Sequence, residues 1–227
     1  MSSLATLGLS VRDTGTSAAT PIVFVVDDDV SIRESLELLI EVYGWTPRTF
    51  ASAREFLEQP KILAPGCLIL DVVLPDLNGL ELQRLIAVAR PELPIIFITG
   101  HADVALSVQA MKAGAMEFLT KPVRDDVLVD AIREALARSR QSLERRARLE
   151  WLRASYESLT LREREVMSLV ASGLLNKQVG SELGISEITV KAHRGQVMRK
   201  MKADSLPALV RMVATLGLPL ASIGGLS

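Results

Sequence analysis

Residues Ile22–Asp29 read IVFVVDDD, five apolar residues running straight into three aspartates. An uninterrupted apolar run of this length, rich in β-branched side chains, marks a strand buried on both faces in a parallel sheet. The pattern returns at Cys67–Leu70, Ile95–Ile98 and Met116–Leu119, with a weaker copy at Thr46–Phe50. Between these runs, Ser31–Val42, Ala53–Glu58, Leu80–Ala89, Val104–Ala113 and Asp125–Ala137 carry apolar residues at helical spacing. Five repeats of strand then helix predict an α/β domain over residues 21–137, built on a doubly wound, five-stranded parallel sheet. Such sheets bind their ligands at the carboxyl ends of the strands.

Polar residues gather at those ends. Asp27, Asp28 and Asp29 follow the first strand, Asp71 the third, Thr99 the fourth, and Lys121 with Pro122 the fifth. One of these, Asp29, is placed to cap the helix that starts near Ser31. Clustered carboxylates repel one another and are costly to desolvate unless a cation neutralises them. Oxygen ligands without sulfur or nearby imidazole favour Mg2+, which retains water and takes phosphate as a co-ligand. A carboxylate beside that ion and a lysine can accept a phosphoryl group. Thr99 and Lys121 then suit phosphate oxygens.

The rest of the chain has a different texture. Residues 138–158 lack Gly and Pro and carry Leu149, Leu152, Tyr156 and Leu159 as a short heptad-like stripe running just past their end. The stripe is shorter than the three heptads expected of a coiled coil, so the segment reads as a helical linker, solvated or packed within the chain, rather than a dimeric coiled coil. Residues 159–217 hold four short helices. Thr160-Leu161-Arg162-Glu163 forms a capping box, Asn176 can cap a helix over Lys177–Leu183, Ser186 one over Glu187–Met201, and Ser205 a last one. The turn Leu183-Gly184-Ile185-Ser186 has helix-turn-helix spacing.

On a helical wheel, Val190, Val197 and Met201 share one face of the third of these helices. Ile188, Ala192, Gly195 and Arg199 lie opposite, flanked by Lys191, Gln196 and Lys202. A face with few bulky groups and several cations suits close approach in a DNA major groove. Lys191 and Arg199 would reach bases or phosphates, and Asn176, Lys177 and Thr189 would reach phosphates.

Net charge conceals this division. The 227 residues carry 26 Lys+Arg and 27 Asp+Glu, net −1, yet residues 21–137 sum to −8, 138–158 to +3 and 159–227 to +4. Charge asymmetry of this kind is a hint of nucleic-acid contact by the basic part. Residues 1–20, rich in Ser, Thr, Ala and Gly, read as a disordered tail, and 218–227 as a C-terminal tail. No apolar run is long enough for a membrane span and the N-terminus lacks a secretory pattern, so a cytoplasmic protein without membrane contact is expected. A single cysteine excludes an internal disulfide, and two histidines exclude a His-rich metal site.

Four segments carry a family resemblance: FVVDDD at Phe24–Asp29, LILDVVLPDLNG at Leu68–Gly79, FITGHAD at Phe97–Asp103 and MKAGAMEFLTKP at Met111–Pro122. They resemble the signatures of a flavodoxin-like receiver domain. Leu159–Met201 resembles the LuxR-type helix-turn-helix, and together they look like a FixJ/NarL-type two-component response regulator, FixJ-like in particular. The resemblance covers about residues 21–216. It implies Asp71 as phosphoryl acceptor, with Asp27, Asp28 and the Val73 carbonyl completing an Mg2+ pocket. It also implies Lys121 as phosphate partner, and Thr99 with Phe118 as the switch pair. Phe118 lacks the hydroxyl of the tyrosine many receivers carry, so its switching would rest on ring packing. His101 is either a phosphate-shielding group or an exposed loop residue. The implied partners are a sensor histidine kinase, promoter DNA, RNA polymerase and, on phosphorylation, a second copy of the chain. Gly180 departs from the usual Ala, at a cost of up to about 1 kcal/mol in helix stability.

Two other readings use the same residues. A haloacid-dehalogenase-like phosphatase would use Asp27-Asp28-Asp29 as its signature, but it leaves Asp71 unexplained and lacks a later acidic motif. A phosphorylation-independent DNA-binding adaptor would leave the acceptor, acidic pocket, Thr99 and Lys121 without a use.

Overall fold

Alternate residues of a buried strand point to opposite faces, and here each face has its own apolar core. Phe24, Val26, Leu68, Leu70 and Phe97 join Phe50, Phe56, Leu82 and Ile86 on one side. Val23, Val25, Cys67, Ile69, Ile96 and Ile98 join Leu36, Ile40, Leu128, Ile132 and Leu136 on the other. A computed structural model of the chain describes residues 20–100 and 103–218. His101 and nearly all of the two tails therefore lie outside the described residues.

The strands are β1 (Ile22–Val26), β2 (Thr46–Phe50), β3 (Gly66–Asp71), β4 (Ile95–Thr99) and β5 (Glu117–Thr120). They form one sheet in the order β2-β1-β3-β4-β5, parallel throughout. The helices between them are α1 (Val30–Val42), α2 (Ala53–Leu57), α3 (Gly79–Ala89) and α4 (Val104–Lys112). Side chains cap all four: Asp29 accepts from the Ser31 N–H, Ser52 from Glu55, Asn78 from Leu80 and Asp103 from Ala105. β5 lies one residue later than the apolar run suggests, because the ladder to β4 begins at the Ile96–Glu117 pair.

The helix that follows β5 is longer than expected. α5 runs without a break from Asp125 to Glu157, so residues 138–158 are not a separate element. No Gly or Pro interrupts those residues, and nothing in the backbone stops the helix at Ala137. The chain divides between Leu143 and Glu144 into two compact units, within α5. In the first, the buried Ser139 hydroxyl accepts a hydrogen bond from the Gly66 N–H at 3.1 Å. In the second, Leu152 is buried with Leu159, Met167, Val197, Met201, Leu209 and Val213.

The second unit also contains α6 (Leu161–Ala171), α7 (Asn176–Leu183), α8 (Glu187–Lys200) and α9 (Leu206–Thr215). The Thr160–Glu163 capping box is formed, and the buried Glu163 carboxylate also accepts from Lys200 Nζ at 2.7 Å. That hydrogen bond holds Glu163 below the ordinary glutamate range. Ser186 and Ser205 cap α8 and α9. The expectation for α7 needs correction. Its N-cap position is Leu175, whose N–H is satisfied by the Gln178 side chain at 2.8 Å, and Asn176 is the first helical residue.

Gly180 also reads differently in three dimensions. A Cβ there would stand 2.7 Å from the Ile185 carbonyl oxygen, while the Ile185 N–H donates to the Gly180 carbonyl at 3.0 Å. The glycine admits the backbone of the turn against α7. Gly180→Ala is therefore expected to destabilise the second unit by about 1–2 kcal/mol, since overpacking outweighs the gain in helix propensity. Chemical denaturation of the full chain checks this, and a rise in stability would show that the turn relaxes freely.

Candidate functional site

β1 and β3 lie side by side in the sheet, and the carboxylates that end them converge on Lys121. Its Nζ sits 2.6 Å from Asp27 Oδ2 and 2.6 Å from Asp71 Oδ2. Asp27 and Asp71 are buried, Asp28 is exposed, and ligand oxygens from all three lie within 4.8 Å of one another. The second oxygens of the buried pair are held by backbone: Asp27 Oδ1 accepts from the Asp29 N–H and Asp71 Oδ1 from the Val73 N–H, each at 3.0 Å. Thr99, 1% exposed, ends β4 beside them. Its carbonyl accepts the Lys121 N–H at 2.8 Å, which ties the lysine backbone to that strand end. The Phe118 ring, partly buried, lies 5.9 Å from that of Phe97.

The electrostatics of the pocket are incomplete. Burial raises the Asp27 carboxyl above its ordinary value despite the hydrogen bond from Lys121. Burial draws the Lys121 ammonium down, but its hydrogen bonds to Asp27 and Asp71 outweigh this and the net shift is upward. Three carboxylates face one ammonium, an excess of negative charge that a divalent cation would relieve. The donor set is all oxygen, so Asp27, Asp28 and Asp71 fit a hard ion.

Two parts of this arrangement were not legible in the motifs. Arg33 Nη1 donates to the carbonyls of Asp27 and Asp28 at 2.7 and 2.9 Å, which fixes the backbone between the two acids. Asp76 accepts from the N–H groups of Ala53 and Arg54 at 3.2 and 2.8 Å, anchoring the loop after Asp71 to the start of α2. A lone Arg or Asp of this kind carries no local sequence signal, since its partners are backbone groups of another segment. Asp29 Oδ1 accepts from the Ser31 N–H as the α1 cap.

In the second unit, Val190, Val197 and Met201 of the wheel's inner face are buried. Lys191, Ala192, Gly195 and Arg199 are exposed, as is Lys177. Lys191 pairs with Glu187 at 3.1 Å, and Arg199 donates to Gln196. Thr189 shares a hydrogen bond with Ser186 at 2.8 Å, so its hydroxyl belongs to the N-terminal cap of α8. Asn176 Oδ1 accepts from Arg194 at 3.1 Å.

Comparison with known proteins accounts for both units. A family model described as the response regulator receiver domain matches residues 23–133, and one described as bacterial regulatory proteins, luxR family, matches residues 157–213. Nodulation protein W of Bradyrhizobium diazoefficiens is 50% identical over 204 residues, covering 89% of this chain and 90% of that one.

The chain is a response regulator.

Other relatives of this regulator include the response regulator protein TmoT of Ectopseudomonas mendocina, 46% identical over 195 residues, covering 86% of this chain and 89% of that one. The transcriptional regulatory protein FixJ of Azorhizobium caulinodans is 42% identical over 196 residues, covering 86% and 92%. The solved structure of the response regulator StyR superposes with a TM-score of 0.80 at 44% identity, covering 86% of this regulator and 99% of that chain. The regulator thus joins a receiver to a LuxR-type DNA-binding domain, and its relatives are transcriptional response regulators rather than classical enzymes. A histidine kinase and DNA are the partners these two domains imply. Among the described residues, no helix is long and apolar enough to cross a membrane.

Proposed function

We propose that Asp71 accepts a phosphoryl group from a sensor histidine kinase, and that this controls binding of the second unit to promoter DNA. The observation that carries the reading is Lys121 Nζ bridging Asp27 and Asp71 at 2.6 Å, with Asp28 beside them. An Asp71 oxygen attacks the phosphorus, the bond to the donor breaks, and its electron pair leaves with the donor. Asp27, Asp28 and Asp71, with the Val73 carbonyl, would hold Mg2+. When bound, that ion neutralises charge on the transferring phosphoryl group. Lys121 pairs with a phosphate oxygen in place of one carboxylate, and the Thr99 hydroxyl hydrogen-bonds another.

A group of nearly two negative charges at this strand end biases a packed two-state element. Thr99 moves toward the phosphate and the Phe118 ring fills the space it leaves. The surface around α4, β5 and α5 changes with it, favouring a homodimer. Residues 21–137 carry this chemistry and 159–217 the DNA contacts, with 138–158 joining them. The regulator acts in the cytoplasm, where RNA polymerase is the machinery its DNA-binding domain would address.

On DNA, Lys191 and Arg199 face bases or phosphates across a surface kept low by Ala192 and Gly195, while Asn176, Lys177 and Thr189 lie toward phosphates. Lys191 exchanges Glu187 for DNA, an exposed pair of little intrinsic strength. The test is binding of the acetyl-phosphate-treated chain to footprinted promoter fragments. Lys191→Ala is expected to weaken that binding by about 1–3 kcal/mol with unchanged helicity. A parallel loss of helicity would assign the lysine a folding role instead.

A further inference from the structure

Asn176 and Arg194 are joined across 18 positions of sequence, from the first residue of α7 to the middle of α8, by a hydrogen bond of 3.1 Å. Both side chains are half-buried. A guanidinium has only donors, and a carboxamide has one acceptor oxygen and one NH2. The chemistry therefore leaves a single orientation: Oδ1 toward Arg194, and the two Nδ2–H donors on the opposite side of the amide. Among the described residues, no hydrogen bond is made by Nδ2.

Arg194 differs in kind from Lys191 and Arg199 of the same helix. Lys191 and Arg199 are exposed on the face bearing Ala192 and Gly195, whereas Arg194 is turned to α7 and has a neutral partner there. Phosphate contacts set the register of a protein on the duplex, and base contacts read it. A link between the N-terminal residue of one helix and the core of the other couples those two tasks.

We infer that Arg194 is a positioning residue for DNA binding: it acts through Asn176, presenting the Asn176 amide NH2 to a backbone phosphate in fixed register with α8. The inference rests on the second unit binding DNA through α8, as proposed above. Phosphate oxygens accept and do not donate, so the orientation Arg194 enforces is the productive one. With the opposite orientation, Oδ1 would meet phosphate as one acceptor facing another. A cation at position 194 that merely added charge would act independently of residue 176.

The experiment uses the full chain treated with acetyl phosphate, a fluorescent mixed-sequence 30-base-pair duplex as probe, and anisotropy titrations across a range of NaCl concentrations. Asn176→Asp keeps an acceptor for Arg194 and loses the NH2. It is expected to bind about tenfold or more weakly, by loss of a hydrogen bond to a charged group, with thermal stability equal to or above wild type. Asn176→Ala and Arg194→Met are each expected to weaken binding while leaving the slope of log affinity against log salt nearly unchanged, because a neutral amide on a phosphate releases no counterion. The double variant is expected to bind no more weakly than the worse single variant. Additive losses in that cycle, or an Asn176→Asp chain that binds like wild type, would overturn the positioning role while leaving DNA binding intact. A wild-type chain that binds no duplex would overturn both.

Discussion

Asp71→Asn is expected to reduce Mg2+-dependent labelling by acetyl phosphate to background while the fold is kept. The carboxamide has nearly the same shape as the carboxylate, and its oxygen can still accept the bond that the Val73 N–H makes to Asp71 Oδ1 at 3.0 Å. What it loses is the proposed nucleophile, along with one of the two charges that Lys121 bridges. Removal of one negative charge also relieves Asp27, so thermal stability is expected to be unchanged or raised. Asp27→Asn serves as the companion variant. It keeps the acceptor but thins the acidic pocket, so labelling should persist at a reduced rate and require more Mg2+. Labelling that survives in Asp71→Asn and disappears only in Asp27→Asn would sink the assignment and favour acceptor chemistry on β1.

Gly79→Ala is expected to damage the same site from behind. A Cβ at Gly79 would stand 2.5 Å from the Asp71 carbonyl oxygen and 3.0 Å from Val72 Cα. Neither backbone can retreat easily, because the Gly79 N–H already donates to the Val72 carbonyl at 2.9 Å and Asp71 is paired to Ile98 in the sheet. Overpacking against backbone in a filled core costs about 3 kcal/mol, and the strand end that moves is the one that carries Asp71, the proposed acceptor. The variant should therefore show both a lower denaturation midpoint and slower labelling. Gly100→Ala is the control, since a Cβ there meets nothing within 4 Å among the described residues, and it should alter stability by less than about 0.5 kcal/mol. Equal behaviour of the two variants would show that the α3 start shifts without cost.

Most of the receiver was legible in its sequence because the signals are local. Strands buried on both faces must be apolar throughout, so Ile22–Val26 and Ile95–Ile98 announce themselves, and parallel topology then brings Asp27, Asp71, Thr99 and Lys121 to one edge. Caps such as Asp29, Ser186 and the Thr160–Glu163 box are equally local, since side chain and N–H lie two or three residues apart. The α7 start was misread for a related reason. Asn176 has the right side chain for a cap, but Arg194, distant in sequence, claims its oxygen.

The sequence by itself determined the sheet, the converging acidic and lysine residues and the cationic helix face, set by periodicity or by spacing within a few residues, and its motifs resemble those of the family. Only the tertiary structure decided the 2.6 Å bridging by Lys121, the backbone clamp of Arg33, the close approaches at Gly79 and Gly180, the single unbroken α5 and the Arg194–Asn176 link. These depend on which backbone or side chain arrives from a distant segment and at what separation, and the packing of the whole chain sets that distance.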